Sequence, residues 1–136
     1  MEKYIHKVNY YETDKMGITH HSNYVRWMEE ARIDFLDKIG CGYKKMEDDG
    51  IVSPVVKIEC EYKTPTTFDD KVEIEVFIKE FKGVRLVLSY KMTNAKTGET
   101  VLTAESIHCF LDKSGKPIIL KKTFPEIDKK LKEMIV

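Results

Sequence analysis

Apolar residues near the start of the chain recur at helical intervals, and further along they alternate. Between residues 22 and 39, Tyr24, Trp27, Met28, Ala31, Phe35, Leu36 and Ile39 fall at three- and four-residue steps, the spacing of one helical face. Ser22 and Asn23 are residue types suited to the N-cap, and Gly40 stands where a left-handed helix stop is wanted. The stripe is wide and aromatic, which predicts a central helix clasped by a sheet. A short helical turn is predicted over Tyr43–Asp48.

From Ile51 the period becomes two. Val56, Ile58, Cys60 and Tyr62 alternate with Lys57, Glu59, Glu61 and Lys63. Val72, Ile74, Val76 and Ile78 repeat the pattern, as do Leu86, Leu88, Tyr90 and Met92. A further long strand is predicted over residues 101–111. Each run has an apolar and a wetter face, as in an antiparallel sheet covered on one side. Pro65 within residues 64–70, then Lys82-Gly83, Lys96-Thr97-Gly98 and Lys113-Ser114-Gly115, supply the turns. Residues 3–11, rich in Tyr, Ile and Val, read as a first strand, and residues 12–20 as a loop. A last helix is predicted over residues 124–134, with Thr123 and Glu126 at capping-box spacing. Strand, long helix and a meander of strands make an α+β order. Long unpaired edges in such a sheet predict at least a dimer.

The 136 residues, 42% of them hydrophobic, suit one domain spanning residues 1–136. Lys and Arg number 23, as do Asp and Glu. That balance removes the long-range attraction expected of a nucleic-acid partner, although a local basic patch stays open. The first residues mix Glu2, Lys3, His6 and Lys7 with apolar ones, unlike a signal peptide. No run reaches the roughly 20 apolar residues of a membrane span. A cytoplasmic location is expected. Cys41, Cys60 and Cys109 are odd in number and widely spaced, so they read as small apolar residues rather than a disulfide or zinc framework.

Candidate chemistry gathers between Tyr11 and Tyr24. This stretch holds Glu12, Asp14, Gly17, His20 and His21, and leads into the most apolar helix. Free N–H groups at a helix start stabilise a developing oxyanion, and a carboxylate on the preceding loop can act there as base or nucleophile. Gly17 permits a tight turn or the close passage of a ligand. The residues alone equally allow Asp14 to cap a turn and the histidines to be surface or packing groups. A metal bound by His20, His21 and Asp14 is disfavoured, because neighbours on an extended loop point apart. Glu29 and Glu30 are secondary acid–base candidates, or surface partners of Arg26 and Arg32. Lys79, Lys82 and Arg85 surround one turn and offer either a phosphate site or a solvated edge. Nucleotide-binding and GxSxG motifs are absent.

The stretch from Tyr10 to Ile18 (Tyr10-Tyr11-Glu12-Thr13-Asp14-Lys15-Met16-Gly17-Ile18), followed by His20-His21-Ser22-Asn23-Tyr24 and Trp27-Met28-Glu29-Glu30-Ala31-Arg32, resembles the 4-hydroxybenzoyl-CoA thioesterase family. The likeness is strongest to its bacterial acyl-CoA thioesterase branch found with Tol–Pal genes. It continues more weakly through Glu61-Tyr62-Lys63-Thr64-Pro65, Phe68-Asp69-Asp70 and Ala104-Glu105. Glu12 departs from the pattern, since many relatives carry Asp there. His20 replaces a commoner aromatic, and Lys15-Met16 replaces smaller or proline-like residues.

The resemblance implies a hotdog fold, an antiparallel sheet wrapped around a long helix with active sites at a dimer interface. It implies hydrolysis of acyl-CoA thioesters, with Asp14 as the catalytic carboxylate and the His21 amide polarising the carbonyl while its side chain assists. Gly17 falls on the pattern's glycine, and Tyr24 on an aromatic position lining the acyl pocket. Lys82 and Arg85 are the weaker candidates for the nucleotide phosphates. Coenzyme A enters as part of the substrate, so no metal or cofactor is expected, and a homodimer or homotetramer is. Rival readings are an acyl-carrier-protein thioesterase, a non-catalytic acyl-CoA-binding hotdog protein, and a dehydratase centred on His20 or His21.

Overall fold

The computed structural model describes residues 2–136. Its five strands are β1 (Tyr4–Lys7), β2 (Val55–Tyr62), β3 (Lys71–Lys82), β4 (Arg85–Asn94) and β5 (Thr100–Cys109). Its helices are α1 (Ser22–Lys38), α2 (Tyr43–Asp48), α3 (Leu120–Thr123) and α4 (Pro125–Glu133). The strands form one antiparallel sheet in the order β1-β3-β4-β5-β2.

Helix α1 buries Tyr24, Trp27, Met28, Ala31, Phe35 and Leu36 in one cluster with Ile74, Ile78, Leu88, Met92 and Leu102 of the sheet. Each such side chain, fully buried, contributes roughly 1.5–3 kcal/mol, so this contact rather than helix propensity holds α1. Gly40, at φ +84°, ends α1 in the left-handed conformation that a side chain disfavours. No helix is long and apolar enough to cross a membrane among the described residues.

Four expectations are corrected. The first strand stops at Lys7, and Tyr10–Glu12 coils into a 3₁₀ turn, because the Glu12 carboxylate reaches back to the Asn9 N–H at 2.7 Å. Neither Ser22 nor Asn23 caps α1. His21 holds that position without a side-chain cap, and Asn23 instead donates from Nδ2 to the Glu12 carbonyl at 2.9 Å. The Thr123–Glu126 capping box is not made. Pro125 opens α4 with Phe124 before it, while the Thr123 hydroxyl bonds back to the Ile119 carbonyl at 3.2 Å. Finally, Arg32 does not pair with Glu29 or Glu30 at the surface.

Arg32 is 4% exposed and points between α1 and the sheet. Its Nε–H donates to the Tyr43 hydroxyl at 2.8 Å and Nη1–H to that of Tyr90 at 3.0 Å. Tyr90 shares a 2.6 Å bond with Ser106, which shares one of 2.7 Å with His108 Nε2. Arginine can only donate, so the Tyr90 oxygen accepts from it, while either hydroxyl can donate along the rest of the chain. The other ring nitrogen of His108, Nδ1, is buried without a partner among the described residues. Burial, followed by the charge of Arg32, lowers the His108 pKa to about 4.

Strands β1 and β2 are the sheet's edges. On β2, Val55, Val56 and Tyr62 are exposed at 45%, 63% and 51%, along an unpaired edge eight residues long that also carries exposed Lys57, Glu59 and Glu61.

Candidate active site

The loop leading to α1 is a small closed hairpin. Its feet are joined by a Thr13–Thr19 bridge, by the Asp14 N–H on the Ile18 carbonyl at 2.9 Å, and by the His20 N–H on the Glu12 carbonyl at 2.8 Å. At the tip, Gly17 takes φ +79°, and a side chain there would meet nothing within 4 Å. Conformation rather than crowding therefore calls for glycine. The hairpin is docked on the segment between β2 and β3. The Thr19 and Thr66 hydroxyls share a 2.6 Å bond, and the Thr67 hydroxyl donates to the Gly17 carbonyl at 2.8 Å.

Asp14 is half-buried within this loop. Its Oδ1 accepts the Met16 N–H at 2.8 Å, and no group among the described residues occupies Oδ2. Asp14 shares one open depression with His20, Ser22, Asn23 and Arg26 at the start of α1. The backbone N–H of His21, just before α1, likewise has no acceptor among the described residues. A carboxylate oxygen and a helix-start N–H are thus both available at one end of α1, beside a charge-favouring helix N-terminus.

The His20 and His21 rings stack, with centroids 4.3 Å apart and 29° between planes, so the expectation that these neighbours point apart is corrected. The Nδ1 of His20 accepts the Ser22 N–H at 3.2 Å. No group of three or more His, Cys, Asp or Glu side chains suited to a metal occurs among the described residues.

Other candidates are dispersed. Tyr24 is only 4% exposed; its hydroxyl is bonded to Thr66 at 3.0 Å and its ring lies 5.6 Å from that of exposed Tyr62. In the single chain its position is in the core rather than on an open pocket wall. Glu30 reaches His6 Nδ1 at 3.3 Å, and Lys79 pairs with Glu105 at 3.0 Å. Lys82 and Arg85 face each other across the β3–β4 turn. That turn is at the end of the sheet opposite to Asp14, since the Asp14 loop adjoins the Lys71 end of β3, where the Val8 N–H meets the Asp70 carbonyl. Over the 12 residues of β3 the separation is roughly 36 Å.

The loop carboxylate to which the sequence assigns no role of its own is Glu12, buried to 4% exposure. Burial pushes its pKa up, but hydrogen bonds from the Asn9 backbone, His6 and Trp27 outweigh that and leave it lowered. Its signal was a carboxylate followed fifteen residues later by Trp27, whose indole N–H is a buried donor needing an acceptor.

Comparison with known proteins agrees with this architecture. Residues 8–135 match the model of the thioesterase-like superfamily. The Bacillus subtilis protein YneP, provisionally named an acyl-CoA thioesterase, is 39% identical over 121 residues, covering 88% of this chain and 87% of its own. The Helicobacter pylori acyl-CoA thioesterase YbgC is 30% identical over 129 residues, covering 89% and 95%. The crystal structure of a DHNA-CoA thioesterase from Staphylococcus aureus superposes with a TM-score of 0.91 at 32% identity, over 97% of this chain and 89% of that one. By its matched sequence and its hotdog architecture, the chain belongs to the thioesterase-like superfamily.

Proposed function

We propose that the protein is a cytoplasmic acyl-CoA thioesterase, acting without metal or organic cofactor, in the bacterial branch associated with Tol–Pal genes. The observation that carries this reading is that an Asp14 oxygen and the His21 N–H at the start of α1 both lack a partner among the described residues. The names carried by relatives of similar length support acyl-CoA as the substrate class.

In the reaction the thioester oxygen accepts the His21 N–H, with the His21 side chain as a further aid. A donor so placed lowers the barrier by about 3–4 kcal/mol. Asp14 takes a proton from water as the water oxygen bonds to the carbonyl carbon. The C–S bond then breaks, and the thiolate of coenzyme A leaves and is protonated. Attack by Asp14 itself, through an anhydride opened by water, reaches the same products. Gly17 shapes the turn beside the substrate, and Tyr24 supports the acyl site from the core through Tyr62.

A homodimer, alone or within a tetramer, completes the proposal. Its support is the exposed edge of β2, which a second copy would cover by antiparallel pairing. Such two-fold pairing reverses the partner's sheet, so the partner's Lys82–Arg85 turn would arrive at the Asp14 end. Phosphates of coenzyme A bound at Asp14 would then meet cations from the neighbouring subunit.

The test is thiol release from short, long and aromatic acyl-CoAs by wild type and Asp14→Asn. Hydrolysis that falls about a hundredfold or more in a folded variant is the expected result. A wild type inactive on every acyl-CoA, but active on an acyl-carrier protein or binding without turnover, would replace this reading.

A further inference from the structure

Two buried polar arrangements take no part in the chemistry just described: the chain from Arg32 to His108, and the carboxylate of Glu12. Only Glu12 is joined to the catalytic loop. Its Oε1 accepts the Asn9 N–H at 2.7 Å, His6 Nε2–H at 2.9 Å and Asn9 Nδ2–H at 3.2 Å, and its Oε2 accepts the Trp27 indole N–H at 2.7 Å. Its main chain is committed as well. The Glu12 carbonyl accepts the His20 N–H at 2.8 Å and Asn23 Nδ2–H at 2.9 Å.

Glu12 therefore ties together β1 through His6, the buried face of α1 through Trp27, and residues on both sides of His21. Asp14 stands two residues further on, inside the hairpin closed by Thr13 and Thr19. A shift of Glu12 moves the Asp14 carboxylate and the His21 amide relative to one another. Resting on the thioesterase reading, we propose that Glu12 is a positioning residue of this site, its buried carboxylate setting the placement of Asp14 against the His21 N–H.

The geometry also says why the group is a carboxylate. Every group facing it is an N–H donor, and an ionised carboxylate only accepts. An amide in its place would turn NH₂ toward either the indole or the Asn9 N–H, setting donor against donor. Misplacing reacting groups by about 1 Å can cost on the order of a hundredfold in rate, even where the fold survives.

The experiment compares wild type, Glu12→Gln, Trp27→Phe and the double variant for kcat, KM and amide hydrogen exchange across residues 12–24. In folded Glu12→Gln, kcat is expected to fall about 10- to 100-fold with KM within about threefold, and exchange of residues 13–21 to quicken. The double variant is expected to regain part of kcat over Glu12→Gln, because phenylalanine presents no N–H to the amide. Wild-type kcat, a loss confined to KM, or unchanged exchange overturns the proposal. Should Glu12→Gln fail to fold, Trp27→Phe decides it: kcat falls severalfold at constant KM, or the proposal is wrong. A wild type silent on acyl thioesters would sink the thioesterase reading separately, and hydrogen exchange would still judge Glu12.

Discussion

The guanidinium of Arg32 donates to the hydroxyl of Tyr90 at 3.0 Å inside the protein, and no carboxylate pairs with it among the described residues. A buried charge supported only by neutral hydroxyls depends on each of them. Tyr90→Phe strips the acceptor from Arg32 and the hydroxyl partner from Ser106 together. The variant is expected to lose about 1–3 kcal/mol of unfolding free energy, read from urea denaturation.

His108 sits at the other end of that chain, and its lowered pKa gives a defined acid response. A histidine with pKa about 4 in the fold and about 6.5 in the unfolded chain leaves the unfolded state holding more protons between those values. Stability is therefore intact above about pH 6.5 and falls as pH drops toward 4, by at most about 3 kcal/mol. Below the ordinary carboxylate range Glu12 adds to the loss in the same direction, because its folded pKa is lowered. Thermal melts from pH 7 to 4 should show this slope. His108→Gln, which keeps an acceptor near Ser106, should flatten the upper part.

Gly17 separates strain from crowding. With φ +79° and open space around an added Cβ, Gly17→Ala should cost about 1–2 kcal/mol through backbone conformation alone. Gly17→Asn should cost less, since asparagine tolerates the left-handed region. Denaturant midpoints for the two variants check the order, and equal losses would contradict it.

Subunit pairing at β2 has its own test. Val56→Lys places a charge on the exposed edge and should shift light scattering from dimer to monomer, with activity falling alongside. A monomeric wild type of full activity would reject the shared-site arrangement.

Mixing inactive partners probes which subunit supplies the cations. Dimers of Asp14→Asn with Lys82→Ala/Arg85→Ala should contain one intact site each, and so recover turnover at low substrate beyond that of either homodimer. No recovery would remove Lys82 and Arg85 from the site.

Much of the architecture was readable because burial repeats with the backbone. The two-residue alternation of Leu86, Leu88, Tyr90 and Met92 and the helical stripe from Tyr24 to Leu36 reappear as buried faces. The role proposed for Asp14 rests on motif likeness, since its own spacing allowed a turn cap, and its Oδ1 does accept a turn N–H. What escaped were contacts between distant residues. Nothing local marks Arg32 as buried, because its partner Tyr90 lies 58 residues away. The sequence places Glu12 in the candidate loop but does not show that His6 and Trp27 close over it. Lys82 and Arg85 seemed near the site only because a linear sequence does not say which end of a sheet a turn occupies.

The pairing of Tyr4 with Ile74 bears on how the molecule is made. Asp14, His21 and Glu12 all leave the ribosome early, yet the hairpin holding them is fastened to Thr66 and Thr67, and β1 has no partner until β3 exists. Contacts so distant in sequence form late and slowly. A nascent chain can therefore carry every one of these groups before it can hold them in place, and the hairpin closes only once Thr66, Thr67 and β3 have been made.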